Sequence, residues 1–180
     1  MRFCLPTRPR LEGGGNYFLI NLLRYLEARG VACTDDLADE YDVLFITHWQ
    51  VEAPDLWRGL RANPAARIVH RIDGAAQDYG RRDGPRADGI QREANRLADL
   101  TIFQSQYARR ATHETFGVIE HDGPVIHNPV DVDLFQPDGD RLARLAAGGP
   151  QLIAAPFLAL VLQVTAKRAR RPSIRRHGCT

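Results

Sequence analysis

Short apolar runs alternate with amphipathic stretches along residues 1–140. The apolar runs that predict β-strands lie at residues 1–5, 31–33, 41–47, 66–72, 100–104 and 125–127. The segment 41–47 (YDVLFIT) is the clearest, because a continuous apolar centre is typical of a strand buried on both faces. The amphipathic stretches predict helices at residues 16–29, 55–62, 90–98 and 106–116, the last with Ser105 as its N-cap. Residues 78–87, rich in Arg, Asp and Gly, predict a polar loop. This order predicts the α/β class, with a doubly wound parallel sheet in a single domain.

The residues that follow each predicted strand are the first candidates for a site. In open parallel sheets, ligands bind outside the carboxyl ends of the strands. The polar or flexible residues at these positions are Gly13, Gly14, Gly15, Asn16, His48, Asp73, Gly74, Ser105 and Asn128. We predict that they line a ligand site.

The glycine triplet opens the first helix. Glycine lets backbone N–H groups approach a ligand closely, and the positive end of a helix dipole favours a phosphate or a sugar oxygen. The spacing matches neither GxGxxG nor GxxxxGK[ST], which argues against a dinucleotide-binding enzyme and a P-loop. A plain flexible loop is the alternative.

Two further candidates each have a structural alternative. Asp73 can accept a hydrogen bond from a sugar hydroxyl or act as a base, whereas Asp-Gly is also a common turn dipeptide. His48 follows a strand next to Trp49, where a surface or capping role is the alternative. His70, inside a strand, is expected to be packed.

Composition excludes several classes. The chain has 180 residues, 44% of them apolar and 26% charged, which is typical of a soluble globular protein. A net charge of +2 gives no support for nucleic-acid binding. Three cysteines without a CxxC pair predict neither a zinc site nor a disulfide framework, and we expect no metal and a cytoplasmic location.

Several segments, taken in order, resemble the N-terminal domain of the family 4-like glycosyltransferases (glycosyl transferases group 1). They are the GGG loop before a helix ending in ARGV, YDVLFITHW, IVHRIDG, REANRLADLTIFQSQYARR and VIHNPVDVDLFQP. The pair ADLTIFQS and VIHNPVD is the most specific part. The resemblance covers residues 1–140.

This resemblance implies a retaining transferase of the GT-B type, in which two Rossmann-like domains face each other across a cleft. The first domain holds a sugar or lipid acceptor, and the second holds a nucleotide-sugar donor, with no separate cofactor. Asp73 stands where many members carry a histidine, so the resemblance assigns it the catalytic position. The glycine loop, Ser105 and Asn128 would line the cleft.

The segment after residue 140 does not continue the resemblance. Residues 141–180 are expected to hold a linker, a remnant of the second domain's first strand and a poorly structured basic tail. Residues 167–176 carry six basic residues and no acid, and we interpret the change near Ala155 as a frameshift or premature end. A genuine basic tail that contacts a membrane surface is the alternative.

We therefore expect a glycosyltransferase-type domain with little activity alone. The alternative is a non-catalytic acceptor-binding module that works with a separate donor-binding chain.

Overall fold

The computed structural model describes residues 1–9, 14–47, 51–117, 119 and 121–128. Within them, five strands form one sheet in which every pairing is parallel, and helices cover both faces. The predicted α/β class with a doubly wound, Rossmann-like sheet is confirmed. Residues 129–180, which include the predicted linker, strand remnant and basic tail, lie outside the described residues.

The elements follow the alternation predicted from the sequence. The strands are β1 (Arg2–Cys4), β2 (Ala32–Thr34), β3 (Val43–Thr47), β4 (Arg67–Ile72) and β5 (Leu100–Phe103). The helices are α1 (Gly14–Ala28), α2 (Ala53–Ala62), α3 (Gly84–Leu97) and α4 (Gln106–Phe116), with a short 3₁₀ helix at Ala76–Tyr79.

The strand order is β2-β1-β3-β4-β5. The chain therefore moves outward in one direction from β1 to β2, and in the opposite direction from β1 through β3 to β5. This reversal creates a topological switch point between β1 and β3, beside which doubly wound folds bind their ligands. We call the edge at which the strands end the carboxyl edge.

The helices divide between the two faces according to the alternation of side chains along each strand. Leu22 and Leu26 of α1 pack on Phe3 and Phe45, on one face. The opposite face is covered by α2 and α3, whose Leu56 and Ala94 pack with Leu44, Ile46 and Ile68. Phe116 of α4 lies against Ile72 and Phe103 on that same face. All five residues of β3 are buried, as its continuous apolar run predicts.

The prediction for α3 was wrong at its start. A polar loop was predicted over 78–87 and a helix from 90, whereas the 3₁₀ helix and a helix from Gly84 occupy this stretch. Pro85 lies in the first turn of α3, where its fixed φ favours a helix. Residues 84–89 read GPRADG, and the buried positions among them are Gly84, Ala87 and Asp88, so the apolar spacing that reveals a helix is missing there.

Two smaller differences concern element ends. The predicted strand 125–127 is reduced to one parallel bridge between Val125 and Phe103. Helix α1 begins at Gly14, two residues before the predicted start.

Of the described residues, no helix has both the length and the apolar character that a membrane crossing requires.

Candidate functional site

Two adjacent residues of β4 bury polar side chains on opposite faces of the sheet. His70 is fully buried on the α3 side, where its Nδ1 lies 3.5 Å from Asn95 Nδ2, which confirms the expected packed histidine. Arg71 points to the α1 side and is only 2% exposed. Burying a charged side chain costs free energy unless other groups satisfy its hydrogen bonds. The groups that bind the Arg71 guanidinium therefore determine how this charge is tolerated inside the sheet.

The Arg71 guanidinium is held by amide groups and an aromatic ring. Its Nη2 donates to Gln104 Oε1 at 3.0 Å and to Asn128 Oδ1 at 2.7 Å. Its central carbon lies 4.1 Å from the centroid of the Phe18 ring, a residue near the start of α1. Gln104 Oε1 also accepts from Asn128 Nδ2 at 3.1 Å. The arginine thus joins the ends of β4 and β5, the segment after Val125 and the N-terminal part of α1.

Asp73 directly follows β4 at the carboxyl edge. Its backbone carbonyl accepts from Gln104 Nε2 at 2.9 Å and from Tyr79 Oη at 2.8 Å. Its side chain is partly exposed. The backbone is therefore fixed by two hydrogen bonds, and the side chain reaches the surface of the edge. Such a fixed carboxylate can accept a hydroxyl hydrogen bond or a proton.

The turn after Asp73 is fixed from the other face by α3. Gly74 has φ of +143°, a conformation that L side chains rarely adopt, and its carbonyl accepts from Gln91 Nε2 at 3.4 Å. The Asp88 carboxylate accepts from the backbone N–H groups of Ala76 and Gln77, at 2.6 and 3.1 Å. These contacts hold the 3₁₀ helix in place and, through it, Tyr79.

The electrostatics of the edge are set by burial. Desolvation lowers the pKa of Arg71, against the nearby negative charge of Asp73, which raises it. Desolvation also raises the pKa of Tyr79, with Asp73 adding to the effect. The Tyr79 phenol therefore stays neutral at neutral pH and donates its hydrogen bond to the Asp73 carbonyl, beside the buried guanidinium of Arg71.

The structure brings together three of the predicted site residues: Asp73, Gly74 and Asn128 are connected through Arg71, Gln104 and Tyr79. Gly14, Gly15 and Asn16 are the first three residues of α1. The Ser105 hydroxyl oxygen caps α4 by accepting from Ala108 N–H at 3.0 Å, which confirms the predicted N-cap. Gly13 and His48 lie outside the described residues.

Three residues of this edge were missed from the sequence. Arg71 had a usable signal, because His70 and Arg71 interrupt the apolar residues of the predicted strand just before its end. Gln104 had a weaker one, as the last polar residue of a predicted strand. Tyr79 had none, since it lay in a stretch predicted to be a polar loop.

No group of three or more His, Cys, Asp or Glu side chains that could hold a metal is present among residues 1–9, 14–47, 51–117, 119 and 121–128. A surface cavity of about 410 Å³ lies at the opposite, amino edge of the sheet, beside Arg2, Tyr41 and Asn63. It lies at the other end of the strands from the carboxyl edge.

Comparison with known proteins adds no assignment. No protein-family model matches the sequence, and no curated protein is significantly similar to it. The resemblance to the family 4-like glycosyltransferases therefore stays a prediction that is carried by the motifs quoted above.

Proposed function

We propose that this chain provides the acceptor-side domain of a retaining, GT-B type glycosyltransferase. The observation that carries the proposal is the convergence of Asp73, Arg71, Gln104 and Asn128 at the carboxyl edge of a parallel sheet. Three of the motifs that resemble the family, IVHRIDG, ADLTIFQS and VIHNP, contribute these four residues. The motifs are distant in the sequence, and a shared site gives a physical reason for their occurrence in one chain.

Asp73 is proposed to contact the acceptor. A sugar hydroxyl that approaches the edge would donate to the Asp73 carboxylate, and Tyr79, which is 55% exposed, offers an aromatic face beside it. Aromatic rings and carboxylates are the groups with which an apolar sugar face and its hydroxyls interact. Gln104 and Tyr79 both bind the Asp73 carbonyl, so they would act as positioning residues rather than as catalytic ones.

The donor is proposed to be a nucleotide-sugar. Departure of its diphosphate requires positive groups at the leaving oxygen. The family resemblance assigns the donor-binding groups to a second domain, so we expect them outside the described residues. We therefore propose that this domain by itself binds the acceptor, and that sugar transfer requires the second, donor-binding domain.

The test combines a glycan array with a transfer assay. The full chain and its Asp73→Asn variant are applied to the array, with Asp78→Asn as a matched control, because Asp78 is an exposed carboxylate five residues away. We expect the wild type and Asp78→Asn to bind the same glycans, and Asp73→Asn to lose them. Nucleotide-sugars are then added, and product is measured.

The outcomes separate the alternatives. Glycan binding without transfer by the chain alone supports an acceptor-side domain or module. Tight binding of a nucleotide-sugar in the absence of acceptor would contradict the acceptor-side assignment. Equal glycan binding by the wild type and Asp73→Asn would remove Asp73 from the site.

A further inference from the structure

The Arg71 guanidinium has an incomplete set of partners. Its Nη1 is buried, and no described residue accepts a hydrogen bond from it. Its Nη2 binds two neutral amide oxygens, those of Gln104 and Asn128. A buried cation without a directly bonded anion is strongly destabilising, and proteins usually match it with a carboxylate or a phosphate.

The surroundings of the guanidinium favour an anion. Helix α1 begins at Gly14, and Phe18 of this helix stacks on the guanidinium at 4.1 Å. The N-terminus of a helix carries free N–H groups and a partial positive charge, which attract negative ligand groups. The N-terminus of α1 and the Arg71 guanidinium therefore both attract negative charge to the carboxyl edge.

Asn128 occupies the position that an anion would take. It is exposed, and its Oδ1 accepts from Arg71 Nη2 at 2.7 Å. An incoming oxyanion can replace this amide oxygen at Nη2 and place its second oxygen at Nη1. The resulting pair of parallel hydrogen bonds is the preferred arrangement of a guanidinium with a carboxylate or a phosphate.

We propose that the carboxyl edge binds an oxyanionic group, a phosphate or a carboxylate of the ligand, through Arg71 Nη1 and Nη2, with displacement of the Asn128 side chain. The inference rests on the proposed function in one respect, since it specifies that the acceptor is anionic. Arg71 would bind the oxyanion in the same way in a phosphorylated acceptor and in a carboxylated acceptor.

The test measures the thermal midpoint of the full 180-residue chain in sodium phosphate and in sodium acetate, each against sodium chloride at equal ionic strength. A ligand that binds only the folded state raises the midpoint. The basic segment 167–176 also attracts anions, so the response is scored as the difference between the wild type and Arg71→Met. Methionine replaces the buried charge with an apolar chain of similar reach, and folding is checked by circular dichroism.

Two variants of Asn128 sharpen the result. Asn128→Asp places a carboxylate on Arg71 but loses the hydrogen bond that Asn128 Nδ2 donates to Gln104, so the variant is scored by anion affinity, which we expect to be at least about tenfold weaker. Asn128→Ala leaves Nη2 open, and we expect it to keep the wild-type response or to exceed it. Isothermal titration with inorganic phosphate and acetate measures the affinities.

A response to phosphate, to acetate or to both that is lost in Arg71→Met supports the inference, and the preferred anion identifies the ligand group. The inference is overturned by no response to either anion, by an equal response in Arg71→Met, or by an unchanged affinity in Asn128→Asp. An anion response without glycan binding would remove the proposed function alone. Glycan binding without an anion response would remove this inference alone.

Discussion

Replacing Gly74 by alanine tests how the turn after Asp73 is built. The φ of +143° disfavours any L residue, a strain of about 1–3 kcal/mol. The new Cβ would lie 2.9 Å from Tyr79 Oη, so the tyrosine must move and give up its 2.8 Å hydrogen bond to the Asp73 carbonyl. Losing that bond costs about 1 kcal/mol. We therefore expect Gly74→Ala to lower the free energy of unfolding by about 2–4 kcal/mol.

Urea unfolding followed by circular dichroism measures this cost. The matched control is Gly80→Ala, since Gly80 also has a positive φ, of +65°, but nothing lies within 4 Å of the added Cβ. Its expected cost is about 1 kcal/mol, the strain alone. In a Tyr79→Phe background, Gly74→Ala should cost about 1 kcal/mol less than in the wild type, because the hydrogen bond is already absent. Equal costs for Gly74→Ala and Gly80→Ala, with no coupling to Tyr79, would refute the reasoning.

Three further predictions concern stability and use the same unfolding assay. Asp88→Ala removes three hydrogen bonds of a carboxylate that is 3% exposed, and we expect a loss of about 3 kcal/mol, against less than about 1 kcal/mol for Asp55→Ala in a surface ion pair. Burial, with nearby aspartates, raises the pKa of Cys4 to about 12; because the unfolded thiol ionises near 8.5, the stability that this thiol contributes should be fully present below about pH 8.5 and be lost as the pH rises toward 12, a decline that Cys4→Ala lessens. Gly123→Ala would drive its Cβ into the carbonyl oxygen of Thr101, and we expect a cost of about 1–3 kcal/mol; a neutral effect would show that this segment does not pack on β5.

Much of the fold could be predicted because its strands are buried on both faces. Strand β3 needs a continuous apolar run under helices on either side, and such a run is visible in a single sequence. The first half of α3 could not be predicted in this way. Its inward positions carry Asp88 and Gln91, which are buried because they hold the backbone of the 73–77 turn. A polar side chain with a structural hydrogen bond has the same sequence signature as a solvent-facing one.

The sequence predicted at which edge of the sheet the candidate site lies, but it did not predict that Arg71, Gln104 and Tyr79 belong to it. The rule that ligands bind at the carboxyl ends of parallel strands located Asp73 and Asn128 correctly at that edge. The residue that connects them, Arg71, lies within β4, and only the strand's register shows which face it points to. Gln104 bonds to Asp73, Arg71 and Asn128, a set of contacts between distant segments that no local pattern encodes.

The most direct test of the central claim is an amide NMR titration of the full chain with a mixture of methyl hexosides, since it reports where a sugar binds. We predict that the amides of Asp73, Gly74 and Gln104 shift at the carboxyl edge, and that Asp73→Asn abolishes these shifts. Shifts confined to Tyr41 and Asn63, beside the cavity at the amino edge, or no shifts at all, would contradict the account.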